Sequence, residues 1–226
     1  AIGVAVADAE RVVDGDDVRV SRLDNARSNA QFLRCCLNDQ CAQVGANLAQ
    51  RLEVALDRGT AAGGLHTKLG IQVVGVHTGE FDQKGRLIFT LQQSNRVGRF
   101  NPATGAIDLI ELDRPKSRPY GIKFDAAGQA WVACNGGPCL YRIDPNTLSQ
   151  TRIDLPNQES HVRRLDVADD GSVWYVNSGA GRLGQYTPAT GRFREWPSPS
   201  GPKSHPYGLV IVDGIVWYNE SGVRPD

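Results

Sequence analysis

The chain has 226 residues, enough for one or two domains with a sizeable core. Its 25 basic and 25 acidic side chains cancel, which argues against a protein built around nucleic-acid phosphates. No apolar run approaches the roughly 18 residues of a membrane span, so no spanning helix is expected.

The first residue is Ala1 and there is no methionine, as expected of a processed or trimmed product. Val12 and Val13, then Asp14-Gly15-Asp16, then Val18 to Val20 predict a hairpin. Leu33, Leu37, Cys41, Val44, Leu48 and Leu52 recur at steps of three and four, which predicts a helix with Gly59 as its stop. Residues 1–65 are therefore expected to form a mixed α/β segment. It plugs the larger C-terminal part, covers one face of it, or stands as a separate small domain.

From residue 66 onward the pattern changes. Gly85, Gly128, Gly171 and Gly214 stand 43 residues apart, each just before an apolar or aromatic run. Trp131, Trp174 and Trp217 fill one column of those runs, with Ile88 in the first copy. Pro102, Pro145 and Pro188 form a second column, Phe100, Ile143 and Tyr186 a third, and Ile110, Ile153 and Trp196 a fourth. Within a copy, turn signals separate four short strands; in the second copy they are 120–124, 130–134, 140–143 and 151–155. A four-stranded sheet cannot bury both faces alone, and radial stacking of such sheets solves this. Residues 66–226 are thus read as blades of an all-β propeller, with the tryptophans between blades and most column residues serving the scaffold. Three full units and a half are visible, so another chain, a missing segment or the N-terminal residues must complete the ring.

Cys134 and Cys139 flank an Asn-Gly-Gly-Pro loop and either pair, if the compartment is oxidising, or remain free buried thiols. A pairing tilts the reading towards an exported protein. Cys35, Cys36 and Cys41 cluster upstream without a Cys-x-x-Cys spacing, so zinc is disfavoured.

Several motifs of the repeat resemble the virginiamycin B lyase family. They are Pro119-Tyr120-Gly121-Ile122, Pro206-Tyr207-Gly208-Leu209, and the Asp-Gly-x-Val-Trp-Tyr runs ending at Tyr175 and Tyr218. The stretches 97–102 and 183–188 look like the family's blade-closing segments, and Trp217-Tyr218-Asn219-Glu220 is similar to its recurrent Trp-Phe-Thr-Glu. The resemblance spans residues 70–226. It implies a seven-bladed propeller that linearises a cyclic depsipeptide by elimination at an ester. The family's histidines follow the proline of its Pro-x-Gly motif and work with nearby glutamates and a magnesium ion. That column here holds His77, Tyr120, Arg163 and, after a one-residue shift, Tyr207. Only His77 keeps an imidazole. His205 lies two residues before Tyr207, where the family places a glutamate, and Glu220 lies one residue before a family glutamate.

Innermost strands of a propeller line its channel, so these residues are expected at the hub, with Asn177 and Glu220 from the adjacent strands. Elimination at an ester needs a base near neutral pKa, a donor for the enolate, and help for the departing carboxylate. His77 or His205 is the expected base, Arg163 the oxyanion donor, and Glu220 the ligand of Mg2+. Tyr120, Tyr207 and Asn177 are expected to bind substrate, a small molecule or cyclic peptide at the propeller mouth. Against these roles, His205 caps a loop and Glu220 pairs with an arginine. Glu159 and His161 bind a metal or decorate a loop, and Arg163-Arg164 holds an anion or is solvated. Two other functions stay open: a non-catalytic ligand- or protein-binding propeller, and a calcium-dependent lactonase of the gluconolactonase type.

Overall fold

The computed structural model describes residues 76–223 and three strands near the N-terminus, β1 (Ile2–Val6), β2 (Ala9–Asp14) and β3 (Asp17–Ser21). The helix expected over 33–52 and the upstream cysteines lie outside the described residues. Everything described is β. Blade I is β4 (Val76–Phe81), β5 (Leu87–Leu91), β6 (Arg96–Asn101) and β7 (Ala106–Glu111). Blade II is β8 (Pro119–Phe124), β9 (Ala130–Cys134), β10 (Cys139–Ile143) and β11 (Gln150–Asp154). Blade III is β12 (Val162–Val167), β13 (Val173–Asn177), β14 (Arg182–Thr187) and β15 (Arg192–Pro197). Blade IV begins with β16 (Pro206–Val212) and β17 (Ile215–Glu220).

The glycine column has a backbone cause. Gly85, Gly128, Gly171 and Gly214 have φ of 71°, 76°, 80° and 74°, the left-handed region that side chains with a Cβ rarely adopt. Each closes the turn between the first and second strands of its blade. The N–H of Gly128, for instance, donates to the Asp125 carbonyl at 2.9 Å.

The second strands carry the burial. Every residue of β5, β9 and β13 is buried. Three of the apolar clusters straddle adjacent sheets. Ile88 and Val97 of blade I pack with Ile122 and Val132 of blade II. Trp131 and Leu140 of blade II pack with Leu165 and Tyr175 of blade III. Trp174 and Leu183 of blade III pack with Leu209 and Tyr218 of blade IV. The tryptophan column is therefore the contact between blades, as the repeat implies. Trp217, last in the column, is half-buried.

The first strand of each sheet lies at the inner edge. Along this edge β8 packs against β4, β12 against β8, and β16 against β12. Blade IV is continued by the chain's own N-terminal residues. β1 pairs with β17 in parallel, Val4 opposite Val216 and Val6 opposite Tyr218, and β2 and β3 follow antiparallel. The expected hairpin is thus present as β2 and β3. Cys134 and Cys139 are free buried thiols, so the tilt towards export drawn from their pairing finds no support in it.

A reciprocal size rule governs the middle of blades I to III. Phe89 stands opposite Gly98 and Tyr175 opposite Gly184, whereas blade II reverses the pair, with Val132 opposite Tyr141. The ring needs the empty place: a Cβ on Gly184 would lie 2.1 Å from Tyr175 Cζ, and one on Gly98 2.2 Å from Phe89 Cζ. In both blades II and III the phenol reaches a carboxylate, Tyr141 donating to Asp113 at 2.6 Å and Tyr175 to Glu195 at 3.1 Å. Gly184→Ala is expected to lower the stability of the chain by about 1–3 kcal/mol through overpacking, read from urea unfolding. The reversed pair Tyr175→Val with Gly184→Tyr is expected to recover more stability than Gly184→Tyr alone.

Candidate functional site

The hub is made by an irregularity common to the inner strands. The pairing register shifts between Val76 and Gly79, Pro119 and Ile122, Val162 and Leu165, and Pro206 and Leu209. At each bulge two residues of the inner strand face one of its neighbour, which re-aims the side chains there. The doubled pairs are His77-Thr78, Tyr120-Gly121, Arg163-Arg164 and Tyr207-Gly208. Glycine at the second place of blade II follows from close approach: a Cβ on Gly121 would lie 2.6 Å from the Arg163 carbonyl oxygen.

The bulges bring four of the expected residues together. The His77 ring lies on Tyr120 with centroids 3.7 Å apart, and its Nδ1 is 2.8 Å from Thr78 Oγ1. Tyr120 and Tyr207 share a hydrogen bond between their hydroxyls at 2.8 Å. Arg163 Cζ stands 5.2 Å from the centre of the Tyr207 ring, and Arg164 Cζ 5.4 Å from that of Tyr120. An Nη of Arg164 donates to Thr78 Oγ1 at 3.2 Å, joining blade III to blade I. Thr90 Oγ1 donates to the Tyr120 carbonyl at 2.8 Å and fixes the backbone behind the ring.

Burial and charge set the protonation of this group. Burial lowers the pKa of His77, and the Arg164 guanidinium lowers it further, so the imidazole is held neutral below its ordinary range. Burial and the bond to Tyr207 raise the pKa of Tyr120, which therefore stays a phenol. Further along the inner strands, Glu80 faces Lys123 at 3.7 Å, and burial raises its pKa despite that cation. Asp166 accepts from the amides of Val167 at 3.0 Å and Ile211 at 2.9 Å.

The remaining expected residues take other positions. His205 is exposed, with φ of 46°. Its Nδ1–H donates to the Ser178 carbonyl at 3.2 Å. His161 does the same one blade earlier, its Nδ1–H donating to the Asn135 carbonyl at 3.1 Å. Both imidazoles staple a rim loop to the preceding blade. Asn177 is fully buried: its Nδ2 donates to Ser160 Oγ at 2.7 Å and its Oδ1 accepts from the amides of His161 and Ala180. Its carboxamide serves the scaffold. Glu220 is half-buried, and its Oε1 has no hydrogen-bond partner among the described residues. No group of three or more His, Cys, Asp or Glu side chains converges among the described residues. Mg2+ usually takes one or two carboxylates with waters completing an octahedron, and Glu220, with its unpartnered Oε1, offers one such carboxylate.

Thr78 belongs to the hub, and sequence reasoning misses it. Its signal is the break in apolar alternation at the bulge, which a single strand shows only weakly.

The described blades match known proteins. The sequence pattern of the virginiamycin B lyase family fits residues 74–223. The chain belongs to that family. Among solved structures, virginiamycin B lyase from Staphylococcus aureus is 19% identical with a TM-score of 0.60, over 96% of this chain and 57% of that one. A streptogramin B lyase is 18% identical with a TM-score of 0.59, over 97% of this chain and 61% of that one. A catalytically inactive variant of the Staphylococcus aureus enzyme, with quinupristin, matches at 19% identity and a TM-score of 0.58, over 96% of this chain and 57% of that one. The chain thus spans 57–61% of these lyase chains, and the likeness establishes the propeller fold. No curated protein matches it.

The Arg164 charge opposes protonation of His77, so Arg164→Gln is expected to raise the pKa of that imidazole, while burial keeps it below the ordinary value. Titration of the histidine ring protons by NMR measures this; an unchanged His77 curve contradicts the electrostatic account.

Proposed function

We propose that this chain is a lyase-like propeller that opens an ester of a cyclic substrate by elimination, with the hub as its site. The observation that carries the reading is His77: an imidazole on an inner strand that lies on Tyr120 and is linked through Thr78 to Arg164, with Tyr207 and Arg163 next beyond Tyr120. Family membership supports it, and so does the lyase neighbour whose structure includes quinupristin.

In the tautomer with the proton on Nδ1, facing Thr78, Nε2 carries the lone pair that removes the proton alpha to a carbonyl. The developing enolate oxygen is met by Arg163 or Arg164. Electrons returning from the enolate form the carbon–carbon double bond and break the carbon–oxygen bond of the ester. The leaving group is a carboxylate, and a guanidinium again meets the charge. No water is consumed. Tyr120 and Tyr207 position the ligand rather than act as bases, since Tyr120 holds its proton.

A second reading is favoured by one observation. Both Pro-x-Gly copies carry tyrosine where the family has histidine, and these tyrosines bond one another. A hub with a single imidazole among its described residues also suits a binding propeller without catalysis.

The test is incubation of the chain with quinupristin, followed by chromatography and mass spectrometry. A ring-opened isomer of equal mass supports elimination, a gain of one water indicates a lactonase, and an unchanged substrate leaves the binding propeller. If elimination occurs, His77→Gln is expected to lower kcat/KM by roughly 100-fold or more, the usual contribution of a general base. The rate is expected to rise with pH through the depressed pKa of His77 and then level off, because only the neutral imidazole accepts the proton. A rate indifferent to His77 sinks its assignment as base.

A further inference from the structure

Arg163 and Arg164 are consecutive, yet the bulge sets one guanidinium over each of two tyrosines that are themselves joined at 2.8 Å. The four side chains form a closed frame at the hub. Two positive charges one residue apart repel unless a counter-charge is near. Among the described residues neither arginine has a carboxylate within ion-pair distance. The acids of the inner strands are engaged otherwise, Glu80 with Lys123 and Asp166 with backbone amides.

The unused hydrogen-bonding capacity of the guanidiniums is all of one kind. Arginine has five N–H donors and no acceptor, and among the described residues the pair makes one such bond to the protein, from Arg164 to Thr78. The Tyr120–Tyr207 bond uses one hydroxyl proton and leaves the other to donate. Stacking on the ring faces leaves the guanidinium edges open, the geometry that grips two oxygens at once. Arg163, Arg164 and Tyr207 are half-buried, so the frame is desolvated in part and still reachable.

We propose that this frame is a binding site for an oxyanion carried by the ligand, a carboxylate or a phosphate, held between Arg163 and Arg164. It rests on the hub being the ligand site, as the elimination reading does, but not on turnover. Within that reading, the group held is the carboxylate released when the carbon–oxygen bond breaks.

The experiment titrates the full chain with phenylacetate, phenyl phosphate and the neutral isostere phenylacetamide at low salt, following histidine and tyrosine signals by NMR. The anions are expected to shift the His77 signals saturably, and phenylacetamide not to do so at the same concentrations. Arg163→Gln and Arg164→Gln are each expected to weaken anion binding roughly tenfold or more. Arg163→Lys and Arg164→Lys, which keep the charge and guard against a folding artefact, are expected to retain part of it. Tighter binding of phenyl phosphate names a phosphate ligand, tighter binding of phenylacetate a carboxylate, and either supports the frame. Equal binding of phenylacetamide, or full anion binding in both Gln variants, overturns the proposal. Anion binding by a chain that leaves quinupristin unchanged supports the frame and sinks the elimination reading alone.

Discussion

A four-stranded sheet has two faces, and one neighbour covers only one of them. That constraint organises the rest of the structure. The second strand of each of blades I to III meets the next blade through Ile88, Trp131 or Trp174, and truncating a large buried side chain of this kind typically costs about 2–5 kcal/mol. Repeating the contact three times among the described blades turns the sheets about a common inner edge. The hub exists because those edges converge.

The inner edge is also where the sheets depart from regular pairing. A regular strand would send Arg163 and Arg164 to opposite faces. The bulge places them together over two phenols, and the same device in blade I presents His77 beside Thr78. Scaffold and chemistry are divided accordingly: the second strands of blades I to III are buried and mostly apolar, while the doubled residues of the first strands carry the polar hub.

The rim shows how a repeat tolerates change outside the hub. Asn177 and Glu220 occupy one column, and Ser160 and Ser204, after the one-residue shift of the fourth copy, another. In blade III the amide of Asn177 donates to Ser160, whereas Glu220 Oε1 and Ser204 Oγ have no partner among the described residues. The same column therefore gives a closed lock in one blade and an unsatisfied oxygen in the next.

The sequence by itself determined the blade: its period, its turn glycines, its tryptophan contacts, and the placing of His77, Tyr120, Arg163 and Tyr207 on inner strands. These follow from local geometry repeated every 43 residues, so each copy reports on the others. Only the tertiary structure decided that Arg164 and Thr78 join the hub, that Tyr120 meets Tyr207, and that Asn177 is spent on the scaffold. The hub contacts depend on bulges and on blades meeting across long stretches of chain, 86 residues for Arg164 with Thr78 and 87 for Tyr120 with Tyr207. The N-terminal strands, added to blade IV in parallel with β17, likewise become part of a blade only when the two ends of the chain meet.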